Sequence, residues 1–168
     1  MFNPPNWTHD NIKFPDKDID EIISKYKKII PKVNGNFSSF WQRKNPEIKW
    51  LSRYQEIIKD MLDNMGVYNY SNYTFTYWGQ LYLNDCFHNV HHHFHQDVDL
   101  SFVHFIRVDE PLFKFTNRKG DYYIPKQDEG DLLCFPSWLW HEVKSCNSKK
   151  ERFVIAGNIN ITKMNCPN

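Results

Sequence analysis

Residues 130–143 read GDLLCFPSWLWHEV. An apolar run over 132–135 is broken at Pro136-Ser137, and a second short run ends on His141-Glu142-Val143. Proline followed by serine favours a bend, so the stretch predicts a short strand, a turn and a further strand-like segment carrying His141. The pattern repeats on both sides. NYTFTYWGQLYLN (72–84), LSFVHFIRV (100–108), LFKFTN (112–117), DYYIP (121–125) and RFVIAGNINIT (152–162) are rich in β-branched and aromatic residues. Breakers separate them at Asn84-Asp85, Asp109-Glu110-Pro111, 117–120 and Asp128-Glu129-Gly130. Many short strands with no helix between them predict a sandwich or jelly roll.

Upstream the period changes from two to three and four. Ile19, Ile22, Ile23, Tyr26, Ile29 and Ile30 predict an amphipathic helix that begins near Asp18 and stops at Pro31. A second helix is expected from around Pro46, with Ile48, Leu51, Tyr54, Ile57, Ile58, Met61, Leu62 and Met65 on one side and Gly66 at its end. Both apolar faces are expected to brace the sheet. The fold class is therefore mainly β (α+β), with a helical part over about 10–66 and a β core over about 72–162. With no repeat or linker, residues 1–168 are expected to form one domain.

Bulk composition excludes several classes. Twenty-one basic and 20 acidic residues leave a formal charge of +1, which argues against a nucleic-acid or anionic-membrane partner. No apolar run reaches the roughly 20 residues of a membrane span, and MFNPPNWTHD has neither the basic nor the apolar region of a secretory signal. The four cysteines, Cys86, Cys134, Cys146 and Cys166, contain no CxxC pair, which disfavours structural zinc and disulfide frameworks. A cytoplasmic protein with reduced thiols is expected. Glycine-rich phosphate loops and a GxSxG elbow are missing, and a nucleophile at Cys134 or Ser137 has no supporting context.

The chemistry concentrates in HNVHHHFHQDVD (88–99), which holds five of the eight histidines. On a strand, residues two apart share a face, so His95 and Asp97 can offer an imidazole and a carboxylate to one ion. The third ligand must come from another strand, and His141 is the only histidine after His104. Two histidines and a carboxylate on one side of an ion suit a non-haem Fe(II) centre that keeps positions open for a co-substrate and O2. Arg152 opens the strand that follows, where its guanidinium could pair with a carboxylate.

HQD (95–97), SFVHFI, GDLLCFPSWLWHEV and ERFVIAGNI together resemble the 2-oxoglutarate- and Fe(II)-dependent oxygenases, most closely the small prolyl-hydroxylase-like members. The resemblance spans roughly residues 78–161. It implies a double-stranded β-helix (jelly roll) core with the metal at its open end, and His95, Asp97 and His141 as Fe(II) ligands. Arg152 would hold the distal carboxylate of 2-oxoglutarate, with Tyr82 as the assisting hydroxyl. The implied activity is a hydroxylase acting with O2 on a peptidyl, for example prolyl, or small-molecule substrate, with release of succinate and CO2.

Two departures from the family pattern stand out. Counting from Tyr82 to Phe87, the usual spacing puts the first histidine near His91, and a paired HxH could be His91/His93 or His93/His95. Asp99 shares the parity of Asp97 and is the fallback carboxylate. Val154 stands where many relatives carry a serine. Two rivals remain: a cupin-like metal enzyme using three histidines and no 2-oxoglutarate, and a non-catalytic jelly-roll binding module.

Overall fold

The computed structural model describes residues 2–9, 11–29, 32–33, 36–38, 51–65, 70–83, 85–94, 98–145 and 150–163. The helices expected from the apolar period are α1 (Asp16–Ile29) and α2 (Leu51–Asn64). Asp16 and Asp18 in the first turn of α1, and Lys27 and Lys28 in its last, complement the helix dipole. The proposed stops Pro31 and Gly66, and the start of the second helix near Pro46, lie outside the described residues.

Eleven strands form two antiparallel sheets among the described residues. The larger contains β1 (Trp7–His9), β2 (Lys32–Val33), β3 (Asn36–Ser38), β4 (Tyr70–Tyr82), β6 (Leu100–Arg107), β9 (Leu132–Pro136) and β11 (Arg152–Lys163), in the order β1-β9-β6-β11-β4-β3-β2. The smaller contains β5 (His88–His91), β7 (Phe113–Thr116), β8 (Tyr122–Tyr123) and β10 (His141–Val143), in the order β5-β10-β7-β8. This is the jelly roll expected from the strand series. The short strands β1, β2 and β3, which the sequence did not reveal, extend the large sheet at its two edges. No helix among the described residues is long and apolar enough to cross a membrane.

Strand parity divides the interior into two cores. On β11, Phe153, Ile155 and Ile159 face the helices and pack with Ile22, Tyr26, Ile58 and Leu62. The alternate residues Val154 and Ala156 face the small sheet and join Tyr82, Phe105, Phe113, Phe115 and Phe135. Fully burying one such ring stabilises the fold by about 1.5–3 kcal/mol, so the second core also fixes the walls of whatever lies between the sheets. Lys27 on α1 pairs with Glu151 just before β11, and Arg107 pairs with Asp20 at 2.8 Å. These exposed pairs orient α1 more than they stabilise it.

Two glycines permit close approaches on the helix side. Gly79 on β4 donates its N–H to the Tyr26 hydroxyl at 3.0 Å, and a Cβ there would lie 2.2 Å from that oxygen. At Gly157 a Cβ would sit 2.3 Å from the Phe102 ring and 2.4 Å from the Thr76 carbonyl oxygen, a backbone atom that cannot swing aside. Gly157→Ala is therefore expected to destabilise the fold by about 1–3 kcal/mol or more. Urea unfolding reads this directly, and a wild-type midpoint in the variant would contradict it.

His104, on β6, is a structural residue that ties three segments together. Its Nε2–H donates to the Ile12 carbonyl at 2.7 Å, so its Nδ1 accepts from the Tyr54 hydroxyl at 2.6 Å. Burial lowers its pKa from 6.5 to about 4, with the Ile12 carbonyl acting against the shift and Arg53 adding to it. As pH falls from 6.5 to about 4, the unfolded chain protonates this ring and the folded chain does not. Stability is full above that window and should drop across it by roughly 3 kcal/mol from this group, at about 1.36 kcal/mol per pH unit. His104→Gln should flatten the pH dependence of the unfolding free energy by about one proton's worth. An unchanged slope would contradict that role.

Candidate metal centre

β5 and β10 are antiparallel neighbours, with His141 directly opposite His91. His93 lies two residues beyond β5, and its backbone N–H donates to the Ser137 carbonyl at 2.8 Å, across the bend that precedes β10. This pairing turns the His93 ring toward the other two. One ligating atom from each of His91, His93 and His141 lies within 4.8 Å of the others. The ring centroids are 4.2 Å apart for His91 and His141, 5.2 Å for His91 and His93, and 5.3 Å for His93 and His141. His88 stacks on His91 at 4.2 Å.

Hydrogen bonds select the tautomers. His141 Nδ1–H donates to the Leu139 carbonyl at 2.9 Å, and His91 Nδ1–H donates to the Asn89 carbonyl at 2.8 Å. Each therefore keeps Nε2 as its unprotonated nitrogen, and the backbone carbonyl orients the ring as it would for a metal ligand. Burial, first of all, holds His141 well below the usual histidine range, and the neighbouring His91 and His93 add to it. Burial likewise lowers His91, against its bond to Asn89, and lowers His88 to about 3 with help from His91 and His93. Neutral imidazoles are the form that binds a metal. The walls around them are aromatic, with Phe135 5.0 Å and Phe113 5.6 Å from His141, and Trp78 6.2 Å from His93.

Arg152 begins β11 opposite Tyr82 and is fully buried. Its guanidinium carbon lies 5.2 Å from the Tyr82 ring centroid and 5.7 Å from that of Phe105. The Tyr82 hydroxyl donates to Gln80 Oε1 at 2.5 Å, so Tyr82 meets Arg152 with its ring face. Burial raises the Tyr82 pKa, with Arg152 acting against it, and keeps this phenol protonated. One cavity has these three histidines in its wall, together with His88, Gln80, Tyr82 and Arg152. Gln80 is the residue that sequence reasoning missed. Its signal was parity, since it lies two positions from both Trp78 and Tyr82 on β4.

Of the predicted ligands, His141 sits at the centre, whereas His95 and Asp97 lie outside the described residues. The fallback Asp99 is engaged elsewhere, accepting the Ile161 N–H on Oδ2 at 2.7 Å. Trp138 is half exposed, and Trp140 packs edge-on against His92 at 4.2 Å. Cys134 belongs to the helix-side core, burial raises its thiol to about 12, and the Ser137 hydroxyl donates to the Val98 carbonyl. Neither is a nucleophile for His141.

Three clustered imidazole donors and a buried guanidinium in one cavity fit a divalent metal beside an acidic chelator. Residues 76–158 match the family model described as "Putative 2OG-Fe(II) oxygenase". No curated protein sequence matches the chain. Among solved structures the chain is similar to a Pseudomonas putida prolyl-4-hydroxylase, at 13% identity, TM-score 0.65 and coverage of 95% of this chain and 93% of that one. It is also similar to a Trichoplax adhaerens prolyl hydroxylase in complex with a hypoxia-inducible-factor peptide, at 12% identity, TM-score 0.65 and coverages of 92% and 83%. A third is HygX from Streptomyces hygroscopicus with nickel, 2-oxoglutarate and hygromycin B bound, at 9% identity, TM-score 0.60 and coverages of 92% and 82%. At these identities the structural likeness shows the fold.

Proposed function

Since residues 76–158 place this chain in the 2-oxoglutarate/Fe(II)-dependent oxygenase superfamily, we propose that it hydroxylates a C–H bond of a peptidyl or small-molecule substrate, prolyl peptides being the first to test. The superfamily's cofactors are Fe(II) and, as co-substrate, 2-oxoglutarate. In the balanced reaction the substrate C–H, O2 and 2-oxoglutarate give the alcohol, succinate and CO2. The observation that carries this reading is the shared cavity, which has His91, His93 and His141 in its wall together with the buried Arg152. Iron bound by the histidines supplies the oxidising chemistry.

The chain's own residues then divide the work. His141 holds the ion, its ring aimed by the Leu139 carbonyl. Arg152 binds the distal carboxylate of 2-oxoglutarate, where a fork of N–H donors matches the two oxygens. Tyr82 supports Arg152 through its ring face, and Gln80 holds the Tyr82 hydroxyl in place. Phe113, Phe135 and Trp78 limit water around the histidines. The carboxylate-bearing set His95, Asp97 and His141 is the rival ligand assignment. The helical part and the jelly-roll core act as one domain, and a cytoplasmic location agrees with the free thiols of Cys86 and Cys134.

The clustered histidines by themselves would equally suit a cupin-like enzyme that does without 2-oxoglutarate. The family match and Arg152 favour the oxygenase. The iron-loaded protein should be given 2-oxoglutarate, O2 and panels of prolyl peptides, free amino acids and small metabolites, with succinate and product mass measured. A substrate should raise succinate release above the uncoupled background and gain one oxygen atom. Iron-loaded protein that forms no succinate with or without any substrate would favour the cupin-like alternative.

A further inference from the structure

We propose that His88 is a co-substrate-binding residue, whose imidazole N–H donates to the 1-carboxylate of 2-oxoglutarate, at the end opposite the one that Arg152 holds. This rests on the oxygenase reading and deepens it, and it is the same for either ligand set because His141 belongs to both. Residues three apart on a regular strand face opposite ways. Between His88 and His91 the register slips: His91 stands opposite His141 and His88 opposite Val143, so three steps on β5 match two on β10. The bulge turns both rings to one face, as bulges beside active sites re-aim a side chain. His88 stacks on His91 with centroids 4.2 Å apart and planes 22° from parallel, and it stands in the cavity wall. The donor atoms gathered within 4.8 Å of one another belong to His91, His93 and His141.

The position of His88 along β5 decides what it meets. From His141 the aromatic wall leads to Phe113 at 5.6 Å, from Phe113 to Phe105 at 6.2 Å, and from Phe105 to the Arg152 guanidinium at 5.7 Å. Val143 stands opposite both Phe113 and His88, and therefore on the Arg152 side of His141. Cys86, two residues before His88, shares a buried cluster with Tyr82 and Phe105, the two rings that meet Arg152. His88 thus flanks the path between the metal rings and Arg152, which a co-substrate held at both ends has to follow. A histidine carries at least one ring N–H in any tautomer, and donation to a carboxylate is a charge-assisted bond. The two ends of the co-substrate are then bound by different residues, and a 2-oxo acid without the far carboxylate keeps the His88 contact.

Pyruvate is such an acid and separates the two ends. Anaerobic titrations of the iron-loaded full chain with 2-oxoglutarate and with pyruvate, followed by the charge-transfer band, give both affinities. His88→Phe keeps a ring against His91 and removes the N–H, so it should weaken both acids by about tenfold or more and to the same extent. Arg152→Met should weaken 2-oxoglutarate alone. His88→Gln restores a donor and should stay within about threefold of wild type. Mn(II) should raise the melting temperature of the His88 variants as it does that of wild type. Should His88→Phe not fold, His88→Ala takes its place with the same expectation. The inference is overturned by any of four results: unchanged affinities, a loss confined to 2-oxoglutarate, a His88→Gln protein as weak as His88→Phe, or a folded His88 variant without the Mn(II) response. Pyruvate that does not bind wild type at all would count equally against it. A wild-type chain that gives no band with either acid would instead sink the oxygenase reading.

Discussion

Arg152→Met is expected to weaken 2-oxoglutarate binding by about 100-fold or more while leaving the fold and the metal site in place. Methionine keeps the length and apolar character of the arginine stem over Tyr82 and Phe105. What disappears is the charged fork. A hydrogen bond to a charged group is worth about 1.5–3 kcal/mol, so losing two at one carboxylate gives an effect of that size. Arg152→Lys should fall between the two, because it keeps the charge but cannot bind both oxygens in a plane. Anaerobic titration of 2-oxoglutarate into the iron-loaded proteins provides the dissociation constants. An Arg152→Met affinity within a few-fold of wild type would move the co-substrate's anchor elsewhere in the cavity.

His141→Ala should remove the metal response altogether. At a concentration 100 times its dissociation constant, a bound ion adds about 2.7 kcal/mol to the stability of the folded chain. Mn(II), which tolerates air, should therefore raise the melting temperature of wild type and leave His141→Ala where it is. The prediction is sharp because His141 is common to both ligand sets and is buried with its tautomer fixed. The same Mn(II) shift in both proteins would place the ion away from the three rings.

Much of this architecture is legible in the chain. α1, α2 and the strand series announce themselves through period and punctuation, and the bend at Pro136-Ser137 delivers His141 where its sequence context suggested. The strands β1, β2 and β3 do not, since two or three residues carry no alternation and pair only because a sheet edge is waiting for them. Tertiary context overrides local preference in such pieces.

The histidine run shows the same boundary. In sequence its five imidazoles look alike, and the carboxylate made His95 and Asp97 the natural pair. The fold sorts part of the run by direction: His91 and His93 turn inward, His92 packs outward against Trp140, and His88 stacks on His91. What brings His93 to the other two is a hydrogen bond from its backbone N–H to the carbonyl of Ser137, 44 residues further on, and no spacing rule reveals that contact. Arg152 is easier to read, because a guanidinium heading an apolar strand in a jelly roll suits an anion held between the sheets. Gln80 is harder, because a single glutamine inside an aromatic strand reads as solvent-facing until β4 is seen to be covered on both sides.

The most direct test of the account is optical. Anaerobic addition of Fe(II) and then 2-oxoglutarate to the metal-free chain should produce a weak visible metal-to-ligand charge-transfer band, absent from His141→Ala and greatly weakened in Arg152→Met. A wild-type chain, reconstituted with iron and shown to be folded, that gives no such band would contradict the assignment of this cavity to Fe(II) and 2-oxoglutarate.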